Sequence, residues 1–96
     1  MSALESLRAR QAEIREIAAR HGAGNVRVFG SVARGDANAD SDIDLLIDII
    51  GPTTSWFPGG LRADLENTLS RRVDIVIARS LNPLLRNAVL NEAVPL

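Results

Sequence analysis

The stretch "VFGSVARGDANADSDIDLLIDII", residues 28–50, sets Asp42 and Asp44 at the mouth of a hydrophobic run, a short loop after the pair Gly30–Ser31. Charges beside apolar strands are costly unless something offsets them. From Asp42 to Ile50 the residues alternate. Ile43, Leu45, Ile47 and Ile49 share one face, and Asp42, Asp44, Leu46 and Asp48 share the other, because successive strand side chains point to opposite sides. A strand is therefore predicted over 42–50. Residues i and i+2 lie about 6.6 Å apart along a strand, so Asp42 and Asp44 stand side by side. Two carboxylates so placed raise each other's pKa unless a cation bridges them. A hard divalent ion such as Mg²⁺ takes oxygen ligands of this kind.

The flanks give the rest of the architecture. "NVRVFG" reads as a short strand, Val26 to Phe29, ended by Gly30; Ser31 caps a helical turn reaching about Gly35, and "DANADS" is loop. Upstream, Ser2 and Glu5 form a capping box, and Leu4, Leu7, Ile14, Ile17 and Ala18 recur at helical spacing. One helix is predicted from about Ala3 to Arg20, closing at His21 and Gly22, with His21 placed to favour the C-terminal dipole. Downstream, "GPTTSWFPGG" is a connector whose Trp56 and Phe57 are its adhesive residues, and a helix follows from about Leu61 to Ser70 with Leu61, Leu65 and Leu69 on one stripe. "RVDIVIA" is a third strand, with Asp74 and Val76 facing away from Val73, Ile75 and Ile77. Asn82–Pro83 starts a last helix that runs towards Pro95. The expected order is α-β-α-β-α-β-α: an α/β (α+β) single domain over 1–96, one small mixed sheet with helices packed on it.

Composition narrows the function. The 96 residues are 46% hydrophobic and 24% charged, enough for a core and against global disorder. All eleven basic residues are Arg. Without Lys there is no Schiff base and no P-loop lysine, so phosphate contacts fall to Arg forks, backbone N–H groups or metal. A net charge of −1 and 3% aromatics argue against direct nucleic-acid binding. Absence of Cys removes thiol chemistry and disulfides. No run approaches the ~20 apolar residues of a membrane span, and the first residues lack a signal-peptide core, so no membrane association and a cytoplasmic location are expected.

The Gly-Ser pair sharpens the aspartates' meaning. Alone, D-x-D is also the pattern of a solvated strand end. An EF-hand fails because Leu45 replaces the required Gly and Gly51 stands where the bidentate Glu belongs. An aspartyl-nucleophile phosphatase would place its acidic pair after the apolar strand, and a Walker A loop needs Lys. A strand-end Gly30, by contrast, lets backbone approach an anion, and Ser31 offers a hydroxyl with free N–H groups. Arg34 lies one turn on, within reach of a phosphate oxygen. Turn and carboxylates together suit a metal–triphosphate, and Asp74 joins them if the third strand neighbours the second.

"GS", a ten-residue gap and "DID" resemble the signature of the DNA polymerase beta-like nucleotidyltransferase superfamily, and "FGSVARGDANADSDIDLLIDI" looks like its minimal nucleotidyltransferase (MNT) branch. "RRVDIVIA" matches the place of the superfamily's third carboxylate, and "LNPLLRNAVLNEAVPL" resembles the usual closing segment. The resemblance implies a nucleotidyltransferase fold in which Gly30 and Ser31 hold the triphosphate of ATP. It also implies that Asp42, Asp44 and Asp74 bind Mg²⁺, with Asp74 helping to deprotonate the attacking hydroxyl. Arg34 and Ser41 are implied supporting contacts, while Asp36, Asp40 and Asp48 are expected to serve loop structure or solubility. Such proteins are commonly antitoxins paired with HEPN-domain toxins, and the implied reaction transfers AMP to a toxin Tyr hydroxyl. This chain has no Tyr of its own. The alternatives are an antitoxin that neutralises by docking alone and, with less support from so short a chain, a small-molecule nucleotidyltransferase.

Overall fold

The alternating run forms the central strand of the protein in a computed structural model that describes residues 2–96. This strand, β2 (Ile43–Ile49), pairs antiparallel with β1 (Ala23–Phe29) and parallel with β3 (Val73–Ile77); β4 (Val94–Pro95) adds antiparallel to β1, giving the order β3-β2-β1-β4. A parallel neighbour cannot be reached by a tight turn, so the chain crosses over through a helix, α4 (Gly59–Leu69), before entering β3. The sheet is mixed and small, as expected.

Period two decides which face of β2 is covered. Ile43, Leu45 and Ile47 are buried against Ile14 and Ile17 of α2 (Gln11–Arg20) and Leu61 and Leu65 of α4, with Val28 and Val73 from the flanking strands. The opposite face carries Asp44 and Asp48, with Leu46 the one fully buried side chain of β2 on that side. Leu45, completely buried at the centre of the sheet, sets the scale of this core. Leu45→Ala should lower the unfolding free energy by about 3 kcal/mol, read as a shifted denaturant midpoint with unchanged slope.

Three elements differ from the sequence reading. The first helix is broken: α1 (Ala3–Ala9) ends and α2 begins at Arg10, whose φ of −111° and ψ of 17° leave the helical region. The cause is visible in the stripe, which lacks an apolar residue at the positions three and four after Leu7, where Arg10 and Gln11 stand. Each half then turns its own face inward, α1 towards α3 (Gly30–Arg34) and α2 towards β1 and α4. The N-terminal capping box is present as expected, Glu5 N–H donating to Ser2 Oγ at 3.1 Å.

The first strand starts three residues early, at Ala23. It carries an irregular register between Gly24 and Arg27, where Asn25 takes a φ of 48°. Gly and Asn weaken strand propensity, so pairing with Ile49 and Asp48 extends this strand where sequence pattern could not. The two-residue β4 is too short for any periodicity, and its Pro95 is tolerated because the strand lies at the sheet edge. The last helix, α5 (Pro83–Glu92), starts as predicted, with Asn82 Oδ1 accepting from Leu84 N–H at 2.9 Å. No described helix is long and apolar enough to cross a membrane.

Candidate active site

The adjacency that sequence left open is supplied by the sheet. Parallel pairing sets Asp44 directly opposite Asp74, and residues in register on neighbouring parallel strands share a face about 4.8 Å apart. Parallel register thus brings Asp44 and Asp74 together, and both line one cleft. Asp42, just ahead of β2, is near enough to act on the Asp44 carboxyl but is paired with Arg72 and does not line that cleft. Asp44 is half-buried there, and burial pushes its carboxyl above the ordinary Asp range. Asp74 and Asp42 push the same way, and Arg34 partly opposes them.

The Gly-Ser turn abuts this cluster. Phe29, the last residue of β1, pairs with Asp44, and Gly30 follows with a left-handed φ of 73°. A Cβ on Gly30 would collide with Asp44 Oδ2. Gly30 is therefore required twice, by backbone angle and by the closeness of the carboxylate. Ser31 sits half-buried in the first turn of α3, and its carbonyl accepts from Asp36 N–H at 2.9 Å as the helix ends at Gly35.

Two residues that the sequence reading passed over complete the turn's surroundings. Glu92, at the end of α5, accepts a short hydrogen bond from the Gly30 N–H and another from Arg34 Nη1 at 3.0 Å, both on Oε1. The Gly30 amide, expected to face a phosphate, is thus already satisfied by a carboxylate. Arg34 Nε donates to Asp36 Oδ2 at 3.0 Å, and the guanidinium is held charged by Asp36 first and Glu92 second. The second residue is Arg62 on α4. It lines an open cleft of about 600 Å³ together with Asp44, Asp74, Phe29, Pro58 and Gly59. Its nearest acidic partner, Glu66 at 3.7 Å, also accepts from Val73 N–H and so fixes the start of β3 beside Asp74. Arg62 directly follows Leu61 of the apolar stripe, and only tertiary structure reveals that it faces a cleft.

Not every implied contact is brought in. The hydroxyl of Ser41 accepts from Asn38 N–H at 3.0 Å and serves the 36–42 turn. Asp36 binds Arg34, and Asp48 accepts from Arg27 Nη2 and Asn25 Nδ2, each at 2.8 Å; these are structural roles. His21, read as a dipole partner, instead bridges Thr54 Oγ1 and Asp64 Oδ2, each at 2.6 Å, tying the 51–58 connector to α4.

The site can be tested for a cation. Among the described residues no three His, Cys, Asp or Glu side chains form a ready-made cage. The donor set is nonetheless oxygen alone, as a hard divalent ion requires. Asp42 Oδ1 is buried and accepts no hydrogen bond, although Arg72 Nε lies 3.0 Å away as an ion pair. That oxygen already has a positive partner in Arg72, so the fit to Mg²⁺ rests on the facing carboxylates of Asp44 and Asp74, whose oxygens suit a hard divalent ion.

Comparison with known proteins bears on this geometry. A model of the family described as "Nucleotidyltransferase domain" matches residues 12–96. The protein adenylyltransferase MntA of Thermococcus cleftensis is 39% identical over 88 residues, covering 92% of this chain and 86% of that one. A protein assigned as a protein adenylyltransferase in Methanocaldococcus jannaschii is 36% identical over 75 residues, covering 78% of this chain and 81% of its own. A solved structure assigned as a minimal nucleotidyltransferase superposes with a TM-score of 0.84 at 52% identity, over 100% of this chain and 97% of that one. A toxin–antitoxin structure with AMP-PNP, 22% identical, shares the fold at a TM-score of 0.75 over 88% of this chain and 70% of that one.

Proposed function

Because this chain belongs to the nucleotidyltransferase domain family, we propose that it transfers AMP from ATP to a Tyr hydroxyl of a partner HEPN-domain toxin, with Mg²⁺ held by Asp42, Asp44 and Asp74. The observation that carries this reading is the parallel register of Asp44 with Asp74, beside a Gly30 turn whose missing Cβ admits the Asp44 carboxylate. A protein that only docked would have no need of facing carboxylates beside such a turn.

In the reaction, the acceptor oxygen forms a bond to the α-phosphorus, the bond from that phosphorus to the bridging oxygen breaks, and pyrophosphate leaves. Mg²⁺, when bound, would be held by Asp42, Asp44 and Asp74 and would supply charge neutralisation for the phosphate oxygens. Asp74, exposed at the strand end, takes the acceptor's proton on its carboxylate. Ser31 and Arg34 hold the triphosphate from the α3 side, and an Arg fork suits phosphate oxygens. The cleft between Asp74 and Arg62 is wide enough to admit an acceptor side chain and leaves it accessible to a protein partner.

A second reading has a specific observation behind it. No residue of α5 is buried, and Leu84, Leu85 and Leu90 are exposed, as is Trp56. These residues suit an antitoxin that neutralises its partner by docking alone. The test is to incubate the protein with the toxin encoded beside it, ATP and Mg²⁺, and weigh the toxin by mass spectrometry. An AMP-sized increment located on Tyr supports transfer. An inhibited toxin of unchanged mass replaces transfer with docking.

A further inference from the structure

The geometry points to Glu92 as a positioning residue for the triphosphate contacts, acting through Arg34 and the Gly30 turn. Resting on the nucleotide reading above, we infer that α5 is a strut: its final Glu locks the phosphate turn and aims the Arg34 fork before nucleotide arrives. One oxygen, Oε1, receives both the Gly30 N–H and Arg34 Nη1. Asp36 holds Arg34 Nε from the other side. A guanidinium gripped on two of its nitrogens keeps Nη2 as the free donor pair, so its direction is set without the ligand. The bond to Gly30 restrains a left-handed turn that lies against Asp44. Glu92 itself is only partly exposed, at 30% of its side chain, and it stands 62 residues from Gly30 in sequence. A local turn cannot make this contact; it depends on α5 packing against α3.

Charge and position make opposite forecasts here, which makes the idea testable. ATP is strongly anionic, so removing the Glu92 charge should tighten binding if electrostatics alone mattered. A positioning role instead weakens it, and most where the acceptor oxygen is lost. ATP affinity of the full chain in Mg²⁺ is measured by calorimetry for the wild type, the two Glu92 variants, Arg34→Ala and the Arg34→Ala, Glu92→Ala double variant. Relative to the wild type, Glu92→Ala should raise Kd about tenfold, and Glu92→Gln, which keeps a carbonyl oxygen for both donors, about threefold. In an Arg34→Ala background the further Glu92→Ala change should cost less than about twofold, because residues acting as one unit are not additive. Melting temperatures identify any variant that fails to fold, and Glu92→Gln preserves the comparison if Glu92→Ala does. Equal or tighter binding by Glu92→Gln overturns the inference, as does an undiminished Glu92→Ala effect without Arg34. If the wild type itself binds no ATP, the nucleotide reading falls and takes the strut with it.

Discussion

Asp44→Asn should lower AMP transfer by about a thousandfold while making the metal-free protein more stable at neutral pH. The two effects have one cause. Asp44 is half-buried beside Asp74 and Asp42, so its carboxyl is harder to ionise in the fold than in the unfolded chain. The sign follows. A carboxyl whose folded pKa is raised binds its proton more tightly when folded, so its favourable contribution is present below the unfolded pKa and is lost as pH rises through the folded value. Above that window the charged, crowded Asp44 opposes folding, and Asn removes the charge with almost no change in volume. The same carboxylate is a proposed Mg²⁺ ligand. Loss of several kcal/mol of transition-state charge stabilisation corresponds to about three orders of magnitude in rate. Thermal melts in chelator, run from below the ordinary Asp pKa up to pH 7.5, check the first effect, since the gain over the wild type should grow as Asp44 ionises and then level off. Single-turnover transfer to the toxin checks the second. A variant both less stable and still active would remove Asp44 from the site.

Gly30→Ala is the second large change, and it should damage fold and activity together. A non-glycine residue at a φ of 73° costs about 1–3 kcal/mol, and the new methyl carbon would meet Asp44 Oδ2. Either the turn or the carboxylate must move. A displacement near 1 Å at a reacting centre can cost about a hundredfold in rate. We therefore expect a lower denaturant midpoint and a transfer rate reduced about a hundredfold. Combined with Asp44→Asn the activity losses should fall short of additive, because both changes act on the same side chain. Gly35→Ala is the control. It also has a left-handed φ, 84°, but open space where its Cβ would lie, so it should lose stability with little loss of transfer.

The strand that carries Asp44 and its buried face are legible in the sequence alone. The alternation of Ile43, Leu45 and Ile47 against Asp44 and Asp48 fixed both the strand and its buried face, because the period of a strand leaves only one face to cover. Asn82–Pro83 carried the start of α5 for an equally local reason, a side-chain cap followed by a residue with no N–H to satisfy. The break at Arg10 was half-legible, in the polar gap of the stripe, but propensity alone argued for a continuous helix. Other features had no local signal. Glu92 looks like any polar residue near a helix end, and Arg62 like any exposed helix residue. Ser41, placed by its nearness to Asp42 in sequence, turned its hydroxyl to Asn38 instead.

Local rules, then, decided what depends on neighbours along the chain: strand faces, caps and the turn at Gly30. Tertiary structure alone decided what depends on distant segments meeting: β3 lying parallel to β2 so that Asp74 comes opposite Asp44, α5 delivering Glu92 to the turn, and α4 presenting Arg62 to the cleft. The physical reason is one of range. A side chain's direction follows from the backbone a few residues either way, whereas its partners are chosen by the burial of a core shared among segments far apart in the chain.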